Sequence, residues 1–480
     1  MGETAKDIIT GVKWTSIQTI INRSFGFIIK IVLARILFPE DFGLIGMAVV
    51  FTSFIKVFTD LGFGAVLIQR KEESLNKEYF STAFWTGVGW SVLIFLIVSF
   101  IIGPLTADLY DEPLLLYIVP ALSLGILASP LNLVHRAQLI KSLSFKRLTV
   151  INNFSNITSG VIALVMAYYG AGVWALVFNS VANTFIAVPL FFKATGWTPQ
   201  WVWKREYFKD LFGFGFFTTL SALVGKIMAQ GDYFLIGKLL GKTELGLYSF
   251  GFILTDSIRA QVKSILNQVL YPIYSKFQSD KKKQEFIYSN NVFFNALLIT
   301  PIMVAFILGV DIIPRIFGEK WVESTIIIQL VATSIIINGG SINITSVLRA
   351  NNKVNIEFKF QLFKVLVLYL PMVYFGIIKY GIVGSAIAVV AFRLIELILD
   401  YSLMKIVLNF NVGQVLLEFI KGLAPSFLAA ALIYLLMVSN VLKEALILKI
   451  VLLLILISVF TFFFYKNKIF YFLKLRKGGG

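Results

Sequence analysis

Four basic residues fall near the middle of long apolar stretches: Arg23, Lys56, Lys226 and Arg259. Lys30 and Lys263 stand one to two helical turns beyond members of this set, and Asp60, Asp232 and Asp256 supply carboxylates nearby. The chemistry open to such cations is anion binding. Arg grips a phosphate in a bidentate fork and Lys acts on it as a point charge, and both attractions grow as the local dielectric falls. A charge left facing lipid at this depth costs about 2.5–3.5 kcal/mol, so the set is expected to face a wet cavity or a partner. The simplest partners are internal: Lys56 with Asp60, Arg259 with Asp256 and Lys226 with Asp232. Catalysis has little to work with. The chain holds no cysteine and one histidine, which excludes thiol nucleophiles, disulfides, Cys-ligated metals and multi-histidine metal centres. His135 stands beside Arg136 at a predicted helix end, where an interfacial role suits it better than catalysis. No phosphate-binding loop, dinucleotide fingerprint, zinc-hydrolase or nucleophile-elbow pattern stands in a fitting context. Neither a cofactor nor a metal is expected.

The elements that must hold these residues follow from composition. Of 480 residues, 58% are hydrophobic and 14% charged, with 43 Lys and Arg against 26 Asp and Glu. A soluble nucleic-acid binder of such basicity would carry its patch on a hydrophilic surface, which this chain lacks, so no nucleic-acid partner is expected. Apolar stretches of about 20 residues are the length that spans a bilayer, and about 14 of them run from 11–37 to 445–465. Breakers such as Phe38-Pro39-Glu40-Asp41, Asp111-Glu112-Pro113, Tyr169-Gly170-Ala171-Gly172 and Lys379-Tyr380-Gly381 separate them. The expected fold class is therefore an all-α integral membrane protein with short connections. The first apolar segment carries Arg23 and Lys30, which argues against a cleavable signal peptide. Alternate connecting segments hold most of the remaining basic residues, whereas the opposite set holds only Lys238, Lys242, Arg315, Lys320, Lys379 and Lys443. The positive-inside rule then puts both termini in the cytoplasm, in a multi-pass protein of the cytoplasmic membrane.

The chain also resembles itself. Shifted by 203 residues, Lys6-Asp7 falls on Lys209-Asp210, Arg35-Ile36-Leu37 on Lys238-Leu239-Leu240, and Asp41-Phe42-Gly43-Leu44 on Glu244-Leu245-Gly246-Leu247. The polar and glycine matches carry the signal, because any two membrane helices share apolar positions. The same shift lays Arg23 on Lys226 and Lys56 on Arg259. This reading gives two pseudo-symmetric six-helix lobes, 1–192 and 209–408, with an interfacial linker at 193–208. Two further helices and a basic tail occupy 409–480. The linker carries Trp197, Trp201 and Trp203 beside Lys204 and Arg205, a composition suited to the headgroup region. Arg393, Glu396 and Asp400 share one helical face, and an internally neutralised group is expected there.

Leu33-Ala34-Arg35-Ile36-Leu37-Phe38-Pro39-Glu40-Asp41-Phe42-Gly43-Leu44, Asp60-Leu61-Gly62-Phe63-Gly64 and Ile68-Gln69-Arg70 resemble polysaccharide exporters of the multidrug/oligosaccharidyl-lipid/polysaccharide superfamily. The likeness is to the colanic-acid and teichuronic-acid exporter branch, relatives of the O-antigen and lipid II flippases. The resemblance implies a V-shaped pair of six-helix lobes working by alternating access. It further implies a polyprenyl-diphosphate-linked oligosaccharide as substrate, moved from the cytoplasmic to the outer leaflet. Arg23, Lys56 and Arg259 correspond by helix placement to cavity cations of the lipid II flippases, and segments 415–438 and 445–465 to a groove for the lipid tail.

Two rivals remain. A multidrug or organic-ion antiporter of the same fold would need net acidic cavity residues. A membrane-embedded glycan polymerase or ligase would need a large outer loop. With no ATP motif, transport is expected to run on a proton or sodium gradient or down a substrate gradient, and Asp60, Asp232 and Asp256 could carry a proton or simply neutralise their basic neighbours. Membrane lipids are the remaining expected partner of a monomeric chain.

Overall fold

The computed structural model describes residues 24–60, 64, 66–67, 76–209, 230–278, 280–438 and 446–477, and every element within them is helical. In chain order the longer helices are α1 (24–36), α2 (Pro39–Asp60), α3 (Lys77–Ile97, running on to Tyr110), α4 (Leu115–Lys141), α5 (Phe145–Tyr168) and α6 (Val173–Thr195). They continue with α7 (230–240), α8 (Lys242–Lys276), α9 (Lys281–Leu308), α10 (Ser324–Asn338), α11 (354–379), α12 (382–403), α13 (Val412–Val438) and α14 (Leu446–Lys477). Among the described residues, eight helical stretches are long and apolar enough to cross a membrane. One of them, Asn355–Leu408, is really a hairpin. At Tyr380–Gly381 the backbone leaves the helical region, with Gly381 at φ 59°, a conformation that glycine adopts without a Cβ penalty. The chain then folds back so tightly that a Cβ at Gly384 would fall 2.0 Å from the carbonyl oxygen of Gly376. α11 and α12 are thus antiparallel neighbours, as the Lys379-Tyr380-Gly381 breaker predicts.

The other breakers are also realised as helix ends. Asp111 closes α3 in the left-handed region, and Gly170 and Gly172, both at positive φ, separate α5 from α6. Pro39 stands at the first position of α2, where its missing N–H is not needed. The backbone N–H of Phe38 donates to Asp41 Oδ2 at 3.0 Å, a carboxylate reaching back to the cap.

The chain packs as two compact units, Met1–Ser249 and Phe250–Gly480, whose boundary falls inside α8. In the first unit, α6 packs along α4 and α5, and α4 along α3. The Trp-rich linker is laid along one face of α3. Trp85 Nε1 donates to the carbonyl of Gln200 at 2.8 Å, and the Gln200 N–H donates to Ser81 Oγ at 3.0 Å. The Lys204 N–H donates to Thr82 Oγ1, and Trp203 Nε1 donates to Thr86 Oγ1. Trp201 stacks on Trp85 at 4.2 Å, and Lys204 pairs with Glu78, which holds its ammonium pKa above the usual lysine range. Positions 78, 81, 82, 85 and 86 form one stripe of a 3.6-residue helix, so the linker is a docked strap. His135 is fully buried beside it, with Nδ1 2.7 Å from Thr195 Oγ1 and its ring against Phe192 and Trp197. It ties the end of α4 to the start of the strap.

The internal repeat has a counterpart in this unit. The N-terminal turns of α2 and α8 cross with no side chain between them. A Cβ at Gly43 would fall 1.7 Å from the carbonyl oxygen of Lys242, and one at Gly246 1.8 Å from that of Pro39. The two contacts interchange under the 203-residue shift. On the line that relates them, Thr243 Oγ1 donates to Glu40 Oε1 at 3.3 Å, a pair of residues 203 apart. The crossing is braced by Lys242, whose ammonium is 2.9 Å from Glu112, and by Lys238, which donates to the carbonyl of Leu109.

In the second unit, α13 packs along α9, α10 lies against α12 and α9, and α14 against α13. Tyr465 donates to the carbonyl of Lys421 at 2.8 Å and seats α14. A core of Tyr274, Tyr288, Val347, Met404 and Val415 closes the end of the unit where α12 passes into α13.

Candidate functional site

The polar centre of the second unit begins with the α11–α12 hairpin. Lys364 lies 17 residues before Gly381, and Glu396 and Asp400 lie 15 and 19 residues after it. Two helices folded back at Gly381 therefore place the lysine beside both carboxylates. Its ammonium is 2.9 Å from Glu396 Oε1 and 3.0 Å from Asp400 Oδ1. The side chain is 1% exposed and stands at the start of a π-helical turn, Lys364–Tyr369. Such turns redirect a side chain within an otherwise regular helix and gather at functional sites.

From Glu396 the network runs outward. Its Oε2 accepts from Arg393 Nη1 at 2.5 Å and from Asn338 Nδ2 at 3.4 Å. Asn338, the last residue of α10, accepts through Oδ1 from Arg259 Nη1 at 3.2 Å. Arg259 in turn donates from Nε to Asp256 Oδ1 at 2.6 Å, one turn earlier on α8. Three cations and three carboxylates make a formally neutral chain of contacts, which is what a low-dielectric interior tolerates. Asp256, Arg259, Ser334, Asn338, Tyr369 and Arg393, with Phe252, Ile335 and Val389, line a small cavity of about 30 Å³. The opposite face of α10, together with Leu394 and Leu397 of α12, meets α9 and α13 around an apolar cavity of about 380 Å³, with Ile307, Ile336, Leu397, Phe419 and Phe427 among its walls. α10, which has no charged residue, thus turns Ser334 and Asn338 toward the charged cluster and Ile336 and Ile337 toward hydrocarbon.

The residues expected from sequence are placed unequally. Arg259 and Asp256 form the pair that their spacing predicts. Asp232 is buried on α7 and accepts from the Tyr248 hydroxyl at 2.9 Å. Lys30 is exposed on α1. Arg23 and Lys226 lie outside the described residues, as do the side chains of Lys56, Asp60 and Lys263, although Lys56 and Asp60 belong to α2 and Lys263 to α8. The neutral group expected around Arg393, Glu396 and Asp400 is present, and it recruits a member from another helix. That member, Lys364, was visible in sequence only as a lone cation in an apolar run. Asn338 was not singled out at all. Its signal is a single amide closing Ile335-Ile336-Ile337, immediately before Gly339-Gly340.

Residues 32–326 match the family described as polysaccharide biosynthesis protein, and the chain belongs to that family. It is 25% identical over 399 residues to the lipopolysaccharide biosynthesis protein WzxC of Escherichia coli K12, covering 82% of this chain and 80% of that one. To the teichuronic acid biosynthesis protein TuaB of Bacillus subtilis 168 it is 27% identical over 335 residues, 69% of each chain. In three dimensions it superimposes on the lipid II flippase MurJ in an inward closed conformation, with a TM-score of 0.72 at 15% identity over 95% of this chain and 100% of that one. The fold is that of a multi-pass membrane transporter, as the resemblance in sequence implies.

Proposed function

We propose that the protein flips a polyprenyl-diphosphate-linked oligosaccharide from the cytoplasmic to the outer leaflet by alternating access. The observation that carries this reading is the pair of cavities flanking α10, one lined by Arg259 and Arg393 and the other apolar. An amphiphile with an anionic head and an isoprenoid tail has that same division. Arg23, Lys56, Lys226 and Arg259, with Lys30 and Lys263 behind them, bind the diphosphate. In a site shielded from water these charges act far more strongly than they would in solution. The apolar wall contributed by α13 receives part of the chain. Names in the family point the same way: two relatives serve lipopolysaccharide and teichuronic acid biosynthesis, and the structural neighbour flips lipid II. The working unit is a monomer in the cytoplasmic membrane with both termini inside. It is divided into repeat lobes 1–192 and 209–408, joined by the 193–208 strap and followed by 409–480. A proton or sodium gradient drives the cycle, with Asp60, Asp232 and Asp256 as candidate coupling carboxylates.

The test is to replace Arg23, Lys56, Lys226 and Arg259 together by alanine and to assay export in a strain lacking its own flippase. Loss of export at normal membrane levels supports the reading, and full complementation by the fourfold variant overturns it. Orientation is checked on the cysteine-free background: a cysteine at Asp108 is expected to label from outside and one at Lys282 only after permeabilisation.

A further inference from the structure

We infer that Arg393 is a phosphate-binding residue, paired with Arg259 in an anion site that the protein's own carboxylates, Asp256 and Glu396, occupy at rest. The inference rests on the proposed lipid-diphosphate substrate and adds to it a residue on α12 and a means of holding the site closed.

Both guanidinium groups line the same 30 Å³ cavity, and Asn338 joins them, accepting from Arg259 and donating to the carboxylate of Arg393's partner. Each arginine is held by a carboxylate of its own helix at a spacing of three, Asp256 with Arg259 and Arg393 with Glu396. Release then needs a side-chain rotation and no movement of a helix. The usual obstacle to breaking a buried pair is the charge left behind, and here neither carboxylate is left alone. Glu396 keeps its 2.9 Å contact with Lys364, and Asp256 is 34% exposed, so water can take it. Lys364 cannot serve in the same way, because it is 1% exposed and fixed between two carboxylates. The cluster therefore sorts its own cations into one that stays and two that can exchange partners.

A diphosphate brings about two negative charges and planar faces of oxygens that suit two guanidinium forks. It matches in charge the two carboxylates it displaces. The cavity as it stands is only about 30 Å³, so an anion enters only when Asp256 and Glu396 turn away. Across α10, and one turn along α12 from Arg393 at Leu397, the apolar cavity lies ready for the chain attached to that anion.

The experiment titrates the purified full-length protein in detergent with farnesyl diphosphate, with farnesol as the uncharged control. Arg393→Gln is expected to weaken diphosphate binding by about tenfold or more, the size of a charge-assisted contact, and to leave farnesol unaffected. Glu396→Gln removes the resident competitor and is expected to tighten binding several-fold, an outcome that a purely structural role for the cluster would not produce. Asp256→Asn repeats that test at the other arginine and does not disturb Lys364. Equal affinity of Arg393→Gln and the wild type, with Arg259→Gln weakened, overturns the inference while leaving the proposed function standing. Weaker binding by both unmasked variants, each shown intact by gel filtration, also overturns it. A wild type that binds farnesyl diphosphate no better than farnesol would instead remove the lipid-diphosphate reading itself.

Discussion

Where α2 crosses α8, two backbones touch with nothing between them; where α8, α10, α11 and α12 meet, six charged side chains and an amide fill the space. The first contact gains its closeness by deleting side chains, at Gly43 and Gly246. The second gains cohesion by matching charges, with Lys364 at its fixed centre. A backbone contact has one satisfactory geometry, since no rotamer can relieve it. A charge network has several, since each carboxylate can choose among neighbours. The glycine crossing is accordingly suited to be a fixed point, and the ionic cluster to be a place where partners change.

Substitution at the crossing is expected to have the largest effect. Gly43→Ala and Gly246→Ala each drive a methyl group to within 2 Å of a backbone oxygen, beyond the about 1–3 kcal/mol that ordinary overpacking costs. Both variants should lose export and accumulate poorly, and to a similar degree, because the two sites interchange under the repeat. A well-folded, active Gly43→Ala protein would break the comparison at its root. The next effect is at the cluster. Lys364→Met takes from Asp400 its ion-pair partner and from Glu396 one of two, and is expected to lower stability by about 3–5 kcal/mol, read by thermal unfolding in detergent. Adding Asp400→Asn should recover much of that loss, because Glu396 still has Arg393. A double variant no better than the single one would mean that the cluster does not redistribute its charges.

The strap along α3 tests an intermediate case, in which aromatic and hydrogen-bonded contacts act together. Trp85→Ala removes the stack on Trp201 and a donor to Gln200. An effect of about 1–2 kcal/mol is expected, seen as faster proteolysis within 196–205 and little change in global unfolding. The smallest effect belongs to an exposed charge outside the cluster. Asp280 caps α9 by accepting from the Lys283 N–H at 3.0 Å, and this bond, aided by the Lys283 side chain, lowers its carboxyl pKa from the usual range. Its contribution is therefore complete above the ordinary carboxylate pKa and fades as the pH falls through the lowered one. Hydrogen-exchange protection in the first turn of α9, corrected for intrinsic rates, should fall in that acid window, and Asp280→Ala should lower it above the window and add little below it. Equal sensitivity of the cluster and of this cap to moderate salt would contradict their difference in burial.

Much of the fold was legible in the sequence because membrane solvation is a strong filter. Apolar length, breakers and charge asymmetry are imposed residue by residue, and the breakers at Asp111, Gly170–Gly172 and Tyr380–Gly381 are observed as turns. The pairs Asp256–Arg259 and Arg393–Glu396 were legible for a related reason, since one helix fixes what stands one turn away. Lys364 and Asn338 were not. Their partners come from other helices, and in a single sequence nothing marks which lone polar residue in one apolar run faces which in another. The strap was half legible. Its tryptophans announced an interface, but that the interface is the stripe of Glu78, Ser81, Thr82, Trp85 and Thr86 depended on how the linker lies.

By itself, then, the sequence determined the all-helical class, the family, the places where the chain turns and a 203-residue echo of one half in the other. These are properties of local segments and their order, and each is set by solvation or by backbone sterics over a few residues. Tertiary structure alone decided that the echo becomes a reciprocal contact of Gly43 with Lys242 and Gly246 with Pro39. It also decided that six charges spread over α8, α11 and α12 close into one neutral network. Coulomb and packing energies depend on distances across space, and those distances exist only once the helices have been brought together.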